Sequence, residues 1–300
     1  MATTTGLKPS EVDLLVKHEY LTGYESYQPV GQLFFDTEAP DRLNEKESVL
    51  GGDGDILQVA EGAAYPQTNF EEIGTKTFTS VEYKRAYPIT ELMQDFSNFG
   101  SIMKLFRKAG YRARYKQDDL MRAVISGGFA TTTTWDGDFL YSASHQVGTD
   151  ANVTQSNLLT GALTKDNINS AYVRLMTMKD HEGLVMSVPT AYLVVPAALA
   201  MKAWEYVNSP DDPETSNRSK SFVNSLNIKV VVWPLLDAVS TTAWHMISEK
   251  TWTALRCYKK VSPTMRSYID ENTGNMVEKI RFVQVQGATD YFGVVGSLGT

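Results

Sequence analysis

A helical stripe of unusual length constrains this chain more than any other feature. Pro88 and Thr90 punctuate a helix start, and Gly127-Gly128 stop one. Between them, apolar or tolerated positions recur at Leu92, Phe96, Phe99, Met103, Phe106, Gly110, Ala113, Gln117, Leu120 and Val124. The steps alternate between three and four, the spacing of one helix face. Met93, Ile102, Met121 and Ile125 widen the stripe. About 36 residues at ~1.5 Å each predict a rod of roughly 54 Å. That is long for a globular domain. Gly100 and Gly110 each weaken a helix by about 1 kcal/mol relative to Ala, so the rod is expected to bend at these two places.

The segments before the stripe are short or extended. Pro9-Ser10-Glu11 reads as a cap for a short helix over 12–21. Tyr20, Tyr24, Tyr27, Phe34 and Phe35 follow in a stretch with Gly and Pro but little periodicity. Aromatics in a segment without its own core pack on something else, either the main body or a neighbouring subunit. Gly51-Gly52-Asp53-Gly54-Asp55 is a turn or hinge signal that lacks the alternating ligands and distal Glu of a calcium loop. Residues 58–70 are polar and turn-rich. Residues 76–87 alternate, with Thr77, Thr79, Val81, Tyr83, Arg85 and Tyr87 on one face, which predicts a strand. Its weak amphipathicity suits an arm lying on a partner, and an edge hairpin equally.

After the stripe the elements alternate. Asp136 to His145 reads as a turn followed by apolar-polar alternation, inside loops rich in Thr, Ser, Asn and Gly. Thr164-Lys165-Asp166-Asn167 caps a helix over 168–178, which ends before Lys179-Asp180-His181-Glu182-Gly183. An apolar strand closed by proline, Ala191-Tyr192-Leu193-Val194-Val195-Pro196, runs into a helix over 197–207. Residues 208–217 form a proline-marked polar loop. A second proline-closed strand follows, Lys229-Val230-Val231-Val232-Trp233-Pro234. Short strands are expected at 244–247, 255–258, 279–286 and 291–295, with a hairpin turn at Asn272-Thr273-Gly274-Asn275.

Composition narrows the function classes. The 300 residues are 42% hydrophobic and 21% charged, so the chain can bury a substantial core. A net charge of -7 argues against a surface that grips nucleic acid everywhere, while a local basic face stays open. The lone Cys257 excludes an internal disulfide framework and a multi-cysteine zinc site, and fits a reducing compartment. The first 20 residues lack a signal peptide's basic start and apolar run, and nothing approaches the roughly 20 apolar residues of a membrane span. A cytoplasmic, non-membrane product is expected.

Catalytic and cofactor signatures are missing. No Gly-x-Ser-x-Gly elbow and no phosphate-cradling glycine motif occurs. Ser142, Ser144 and His145 put hydroxyls near an imidazole, but neighbours along an extended chain point to opposite faces, and a loop or packing role is expected. His18, His145, His181 and His245 form no zinc-helix spacing. Carboxylates show no acid-base pairing. We expect no enzyme activity and no cofactor.

The order of elements from Trp135 to Trp233, with its two proline-closed strands, resembles the tailed-bacteriophage major capsid proteins, particularly those similar to the Mu-type head subunit. The resemblance implies an α+β, Hong-Kong-97-like fold. Its parts would be an N-terminal arm (1–50), an extended β-hairpin loop (51–88), a peripheral domain with the long spine helix (89–159), an axial domain (160–250) and return strands of the peripheral domain (251–300). It implies a shell of hexamers and pentamers, forming an icosahedral virion head assembled in a host bacterial cytoplasm. Implied partners are copies of the chain itself, a portal, a decoration protein and packaged double-stranded DNA, with no membrane. No scaffold-like N-terminal extension is evident, and a start at Met1 leads us to expect a separate scaffolding protein. Subunit contact is expected from Phe70, Phe78, Tyr83 and Tyr87 in the loop and Tyr24 and Phe34 in the arm. Six cations crowd one stretch of the long helix, and Lys104, Lys108 and Arg112 share a face at i, i+4 spacing. That face is either solvated and partly paired with acids, or, on the resemblance, an inner face touching DNA phosphates. The rival readings are an encapsulin-like nanocompartment and an unrelated enzyme with a novel site.

Overall fold

Two sheets bridged by one long helix organise the chain. The computed structural model describes residues 9–51, 56–67, 70–90, 93, 99–148, 150–190, 192–210 and 220–300. Helix α1 (Pro9–Ser26) leads into β1 (Asp36–Glu38), β2 (Asn44–Gly51), β3 (Glu71–Thr79) and β4 (Val81–Ile89). The long helix α2 spans Phe99–Gly127. Then come β5 (His145–Val147), β6 (Asp150–Gln155), β7 (Leu158–Leu159), α3 (Lys165–Met176), β8 (Tyr192–Val195) and α4 (Ala200–Asn208). The chain closes with α5 (Phe222–Ser225), β9 (Lys229–Val232), β10 (Trp244–Ile247), β11 (Leu255–Ile269), β12 (Met276–Ala288) and β13 (Val294–Ser297).

The first sheet has the order β1-β11-β12-β4, and β11 and β12 form its long central hairpin. The hairpin turns where sequence predicts: Asp270 accepts from the Asn272 amide and the Thr273 hydroxyl, and Gly274 takes a positive φ of 66°. Its strands run longer than their apolar runs suggest, because charged residues alternate on the open face. Irregular register around 259–264 accommodates Pro263, which donates no ladder bond. Helices α1 and α2 cover the other face. Met276 packs with Ile102 and Phe106, and Ile280 with Tyr20, Ala109 and Ala113.

The second sheet has the order β7-β13-β10-β8-β9. Its middle strands are buried on both faces, so they read as unbroken apolar runs. Leu193, Val195, Trp244, Met246 and Val295 face α3 and α4. Val194, Ile247 and Val294 face the last turns of α2 together with Phe34 and Trp233. Helix α3 starts as expected, with the Thr164 hydroxyl accepting from the Asn167 amide at 3.2 Å.

Several expectations need correction. Residues 76–87 are not one strand: the chain breaks at Ser80, leaving the β2–β3 hairpin and entering the first sheet as β4. That hairpin starts at Asn44, within the stretch expected to be an arm. Residues 136–144 form a hydrogen-bonded loop, and strand structure begins only at His145. Helix α1 continues to Ser26, through Tyr24. Gly110 does not interrupt α2; a Cβ there would lie 1.9 Å from the Tyr20 carbonyl, and one on Gly23 would lie 1.8 Å from the Arg107 carbonyl. The two glycines let α1 and α2 touch backbone to backbone. Leu92, Phe96, residues 52–55 and most of the 208–217 loop lie outside the described residues.

Candidate interaction surfaces

The basic stretch of α2 divides into two groups. Arg107 pairs with Glu19 at 2.7 Å, Lys116 with Asp119 at 2.9 Å, and Arg114 lies 4.8 Å over the Tyr24 ring. Lys104, Lys108 and Arg112 are exposed and have no ion-pair partner among the described residues. Lys104 and Lys108 therefore stand unneutralised on the exposed side of the helix, while Arg112, also unneutralised, lines a cleft with Tyr83, Lys84 and Arg85 of β4 and Phe282 of β12.

The β2–β3 hairpin is docked at its base and open at its tip. Near the base, Lys76 reaches Thr133 at 2.8 Å, and the Trp135 ring lies against Gly74. Phe78 packs on Tyr258 and Gly287, and Glu47 binds Arg256 at 2.8 Å. At the tip, Ile56 is 96% exposed, Tyr65 92% and Phe70 76%. Sequence reading took this region as polar and turn-rich and picked out only Phe70 as a contact residue, missing Ile56 and Tyr65. The missed signal is the apolar residues scattered among its turns.

On the open face of the first sheet, opposite α1 and α2, lies a groove of about 810 Å³. Lys84 of β4, Arg266 of β11 and Lys279 and Arg281 of β12 line it, with Tyr268 and Val261 between them. These cations come from three strands, and strand register brings them together.

The six residues expected at subunit contacts fare differently. Phe34, 0% exposed, is in the chain's own core against Tyr192 and Trp233; Phe78, 4% exposed, is also internal. Both are corrected: their rings are used within the chain. Tyr24 is half-buried, and its hydroxyl donates to Gln117 at 2.7 Å. Tyr83 stacks on Phe282 at 4.8 Å and Tyr87 meets Phe106 edge-on at 5.9 Å, both half-buried. Phe70 alone of the six stands fully open. The arm aromatics thus pack on the main body.

Asp136, Asp138 and His145 bring their ligand atoms within 4.8 Å of one another. Each is already engaged inside the chain. His145 Nδ1 lies 2.8 Å from Asp136, and Nε2 lies 3.2 Å from the Leu140 carbonyl. Asp138 accepts from Ser142 at 3.0 Å and Ser144 at 3.3 Å. Burial would raise the Asp136 carboxyl, but hydrogen bonds from His145 and Thr134 hold it below the usual carboxylate range. Neither serine is hydrogen-bonded to His145, so the cluster ties a loop and assembles no nucleophile.

The sequence model of a family described as Phage capsid protein matches residues 72–296. No curated protein matches the chain. Among solved structures it is similar to the capsid of the cyanophage P-SCSP1u, with a TM-score of 0.60 and 8% identity over 90% of this chain and 88% of that one. It is similar to the capsid of Myoviridae phage XM1, with a TM-score of 0.53 and 12% identity over 90% of each chain. It is also similar to the virus-like particle from Pyrococcus furiosus, with a TM-score of 0.51 and 9% identity over 95% of this chain and 98% of that one. At such identities the likeness is one of fold, here Hong-Kong-97-like. With the family match spanning well over half of its length, the chain belongs to the phage capsid protein family.

Proposed function

We propose that copies of this chain close the phage head through hexamers and pentamers, each β2–β3 hairpin overlapping a neighbour and α2 turned towards packaged DNA. Its family makes the chain a shell-building subunit of the virion head, not an enzyme. The observation that carries the finer reading is the hairpin tip. Ile56, Tyr65 and Phe70 stand in solvent, on a projection whose base is firmly held. Exposed apolar surface of that kind marks a contact with another chain. Each contact is weak alone, and closure of a shell multiplies them.

The second sheet with α3 and α4 would be the axial domain, and the first sheet with α1 and α2 the peripheral one. Lys104, Lys108 and Arg112 would meet DNA phosphates without reading bases, consistent with their unpaired state. A separate scaffolding protein, a portal and a decoration protein complete the expected partners. An encapsulin-like compartment shares this fold, but the phage capsid family match favours a genome-holding head; DNA content of purified particles separates the two.

Negative-stain microscopy beside size-exclusion chromatography tests the proposal. Closed shells, capsomer rings or tubes are expected. A low-mass species that persists after the scaffolding partner is added would overturn it.

A further inference from the structure

We infer that the pocket where the end of α2 meets the second sheet binds a small neutral molecule carrying one hydroxyl on an apolar body. This goes beyond the assembly reading above and does not depend on it.

The pocket has a volume of about 240 Å³. The end of α2 and the turn after it contribute Ser126 and Phe129. The segment joining β9 to β10 contributes Leu236, Val239, Ser240 and Ala243. His245 of β10 and Leu298 complete the lining. His245 shares a face of β10 with Ile247, and the last turns of α2 cover that face. An imidazole is thereby placed among apolar side chains. Val239 is 57% exposed and Leu298 39%, so apolar surface of the pocket stands uncovered.

The imidazole is the polar group left over. Its ring is 1% exposed, stacks on Tyr141 at 5.3 Å and lies 5.7 Å from Phe129. Nδ1 is buried and has no hydrogen-bond partner among the described residues. Burial pushes the pKa of His245 down to about 3, so the ring is uncharged at neutral pH. A buried nitrogen without a partner is unfavourable until something bonds it. The two serines of the lining are engaged elsewhere. Ser126 accepts from Arg122 at 3.0 Å, and Ser240 accepts from the Ala243 amide at 3.0 Å and the Thr242 amide at 3.3 Å.

Size and lining select the occupant. One water takes up only ~30 Å³, whereas a dry apolar cavity of ~150 Å³ already holds benzene. No charged side chain lines the pocket, so a phosphate, carboxylate or ammonium group finds no counterpart there. An extended chain segment would bring amides and carbonyls that one imidazole cannot meet. A neutral imidazole offers one donor and one acceptor, and a hydroxyl can meet either. A phenol or a short alcohol therefore matches both the walls and the ring.

Calorimetric titration of the full chain with para-cresol, and with toluene as the same body lacking the hydroxyl, tests this. Para-cresol should bind saturably, one per chain, and about tenfold or more tighter than toluene, because toluene leaves the buried nitrogen unmet. His245→Phe keeps a ring and removes its nitrogens, so para-cresol should weaken to the level of toluene while toluene binding holds. Ala243→Leu fills the pocket and should abolish both. Equal binding of the two probes by the unaltered chain, or no saturable binding of either, would overturn the inference, and neither result depends on how a variant folds. Para-cresol binding that survives both substitutions would also overturn it, by placing the ligand elsewhere. Binding by free subunits that vanishes in assembled shells would give the pocket to a side chain of a neighbouring copy and overturn the small-molecule assignment.

Discussion

Asp118 lies mid-helix in α2, fully buried, where an acid normally destabilises. Its carboxylate accepts from Tyr27 at 2.7 Å, the Gly31 amide at 2.8 Å and the Trp233 indole at 3.0 Å. It thereby ties the segment after α1, the long helix and the second sheet. Asp118→Ala should cost about 3 kcal/mol, since it strands two buried donors and the half-buried Tyr27 hydroxyl; chemical denaturation measures this, and a loss under 1 kcal/mol would refute the role. Glu278 is the opposite case. It is fully buried on the helix-facing side of β12, and neither carboxylate oxygen has a hydrogen-bond partner among the described residues. Burial, with help from Asp13 and against Lys17, raises it from 4.5 to about 7. The folded state therefore holds a proton that the unfolded state releases between pH 4.5 and 7. Stability should fall as pH rises through that window, by roughly 3 kcal/mol in all. Glu278→Gln should flatten the fall, and unfolding midpoints at pH 5 and pH 8 for both proteins decide the matter. Neither residue could be singled out from sequence, because each role depends on groups far along the chain.

At the scale of elements, periodicity was the reliable guide. The stripe of α2, the Thr164 cap and the turn before Asn275 depend on neighbours within a few residues, and such local signals survive into the fold. Breaks between elements were less visible. The alternation over 76–87 continues through Ser80, since both β3 and β4 have a pleat, and only pairing with different partners divides them. The reading of Gly110 as a bend also failed, because a contact glycine and a kink glycine look alike in sequence. Gly110→Ala should prise α1 from α2, lowering stability by about 2 kcal/mol or more despite Ala's better helix propensity. An unchanged or raised thermal midpoint would show that the helices do not meet so closely.

For the whole molecule, assembly and folding should separate by mutation. Tyr65→Ser with Phe70→Ser removes apolar area that the chain does not bury, so the thermal midpoint should stay within a few degrees while shell yield falls. A matching drop in both would mean the tip stabilises the monomer. Replacing Lys104, Lys108 and Arg112 by Ala should leave shells intact and reduce the salt dependence of DNA binding, by up to about 3 in the log-log slope. An unchanged slope would make this face a solvated one. The chain's net charge of -7 conceals both cationic surfaces, because fold and register concentrate a minority of charges.

The sequence by itself determined the long helix, the proline-closed strands of the second sheet, the absence of catalytic motifs and the resemblance to capsid subunits. All of these rest on residues close together in the chain or on the order of elements. Tertiary structure alone decided that Phe34 and Phe78 belong to the core while Tyr65 remains outside. It alone set Lys84 against Arg281 and Arg266 against Lys279. Burial and cross-strand register are properties of pairs distant in sequence, and hydrophobic pattern shows that a residue will be covered without showing by what.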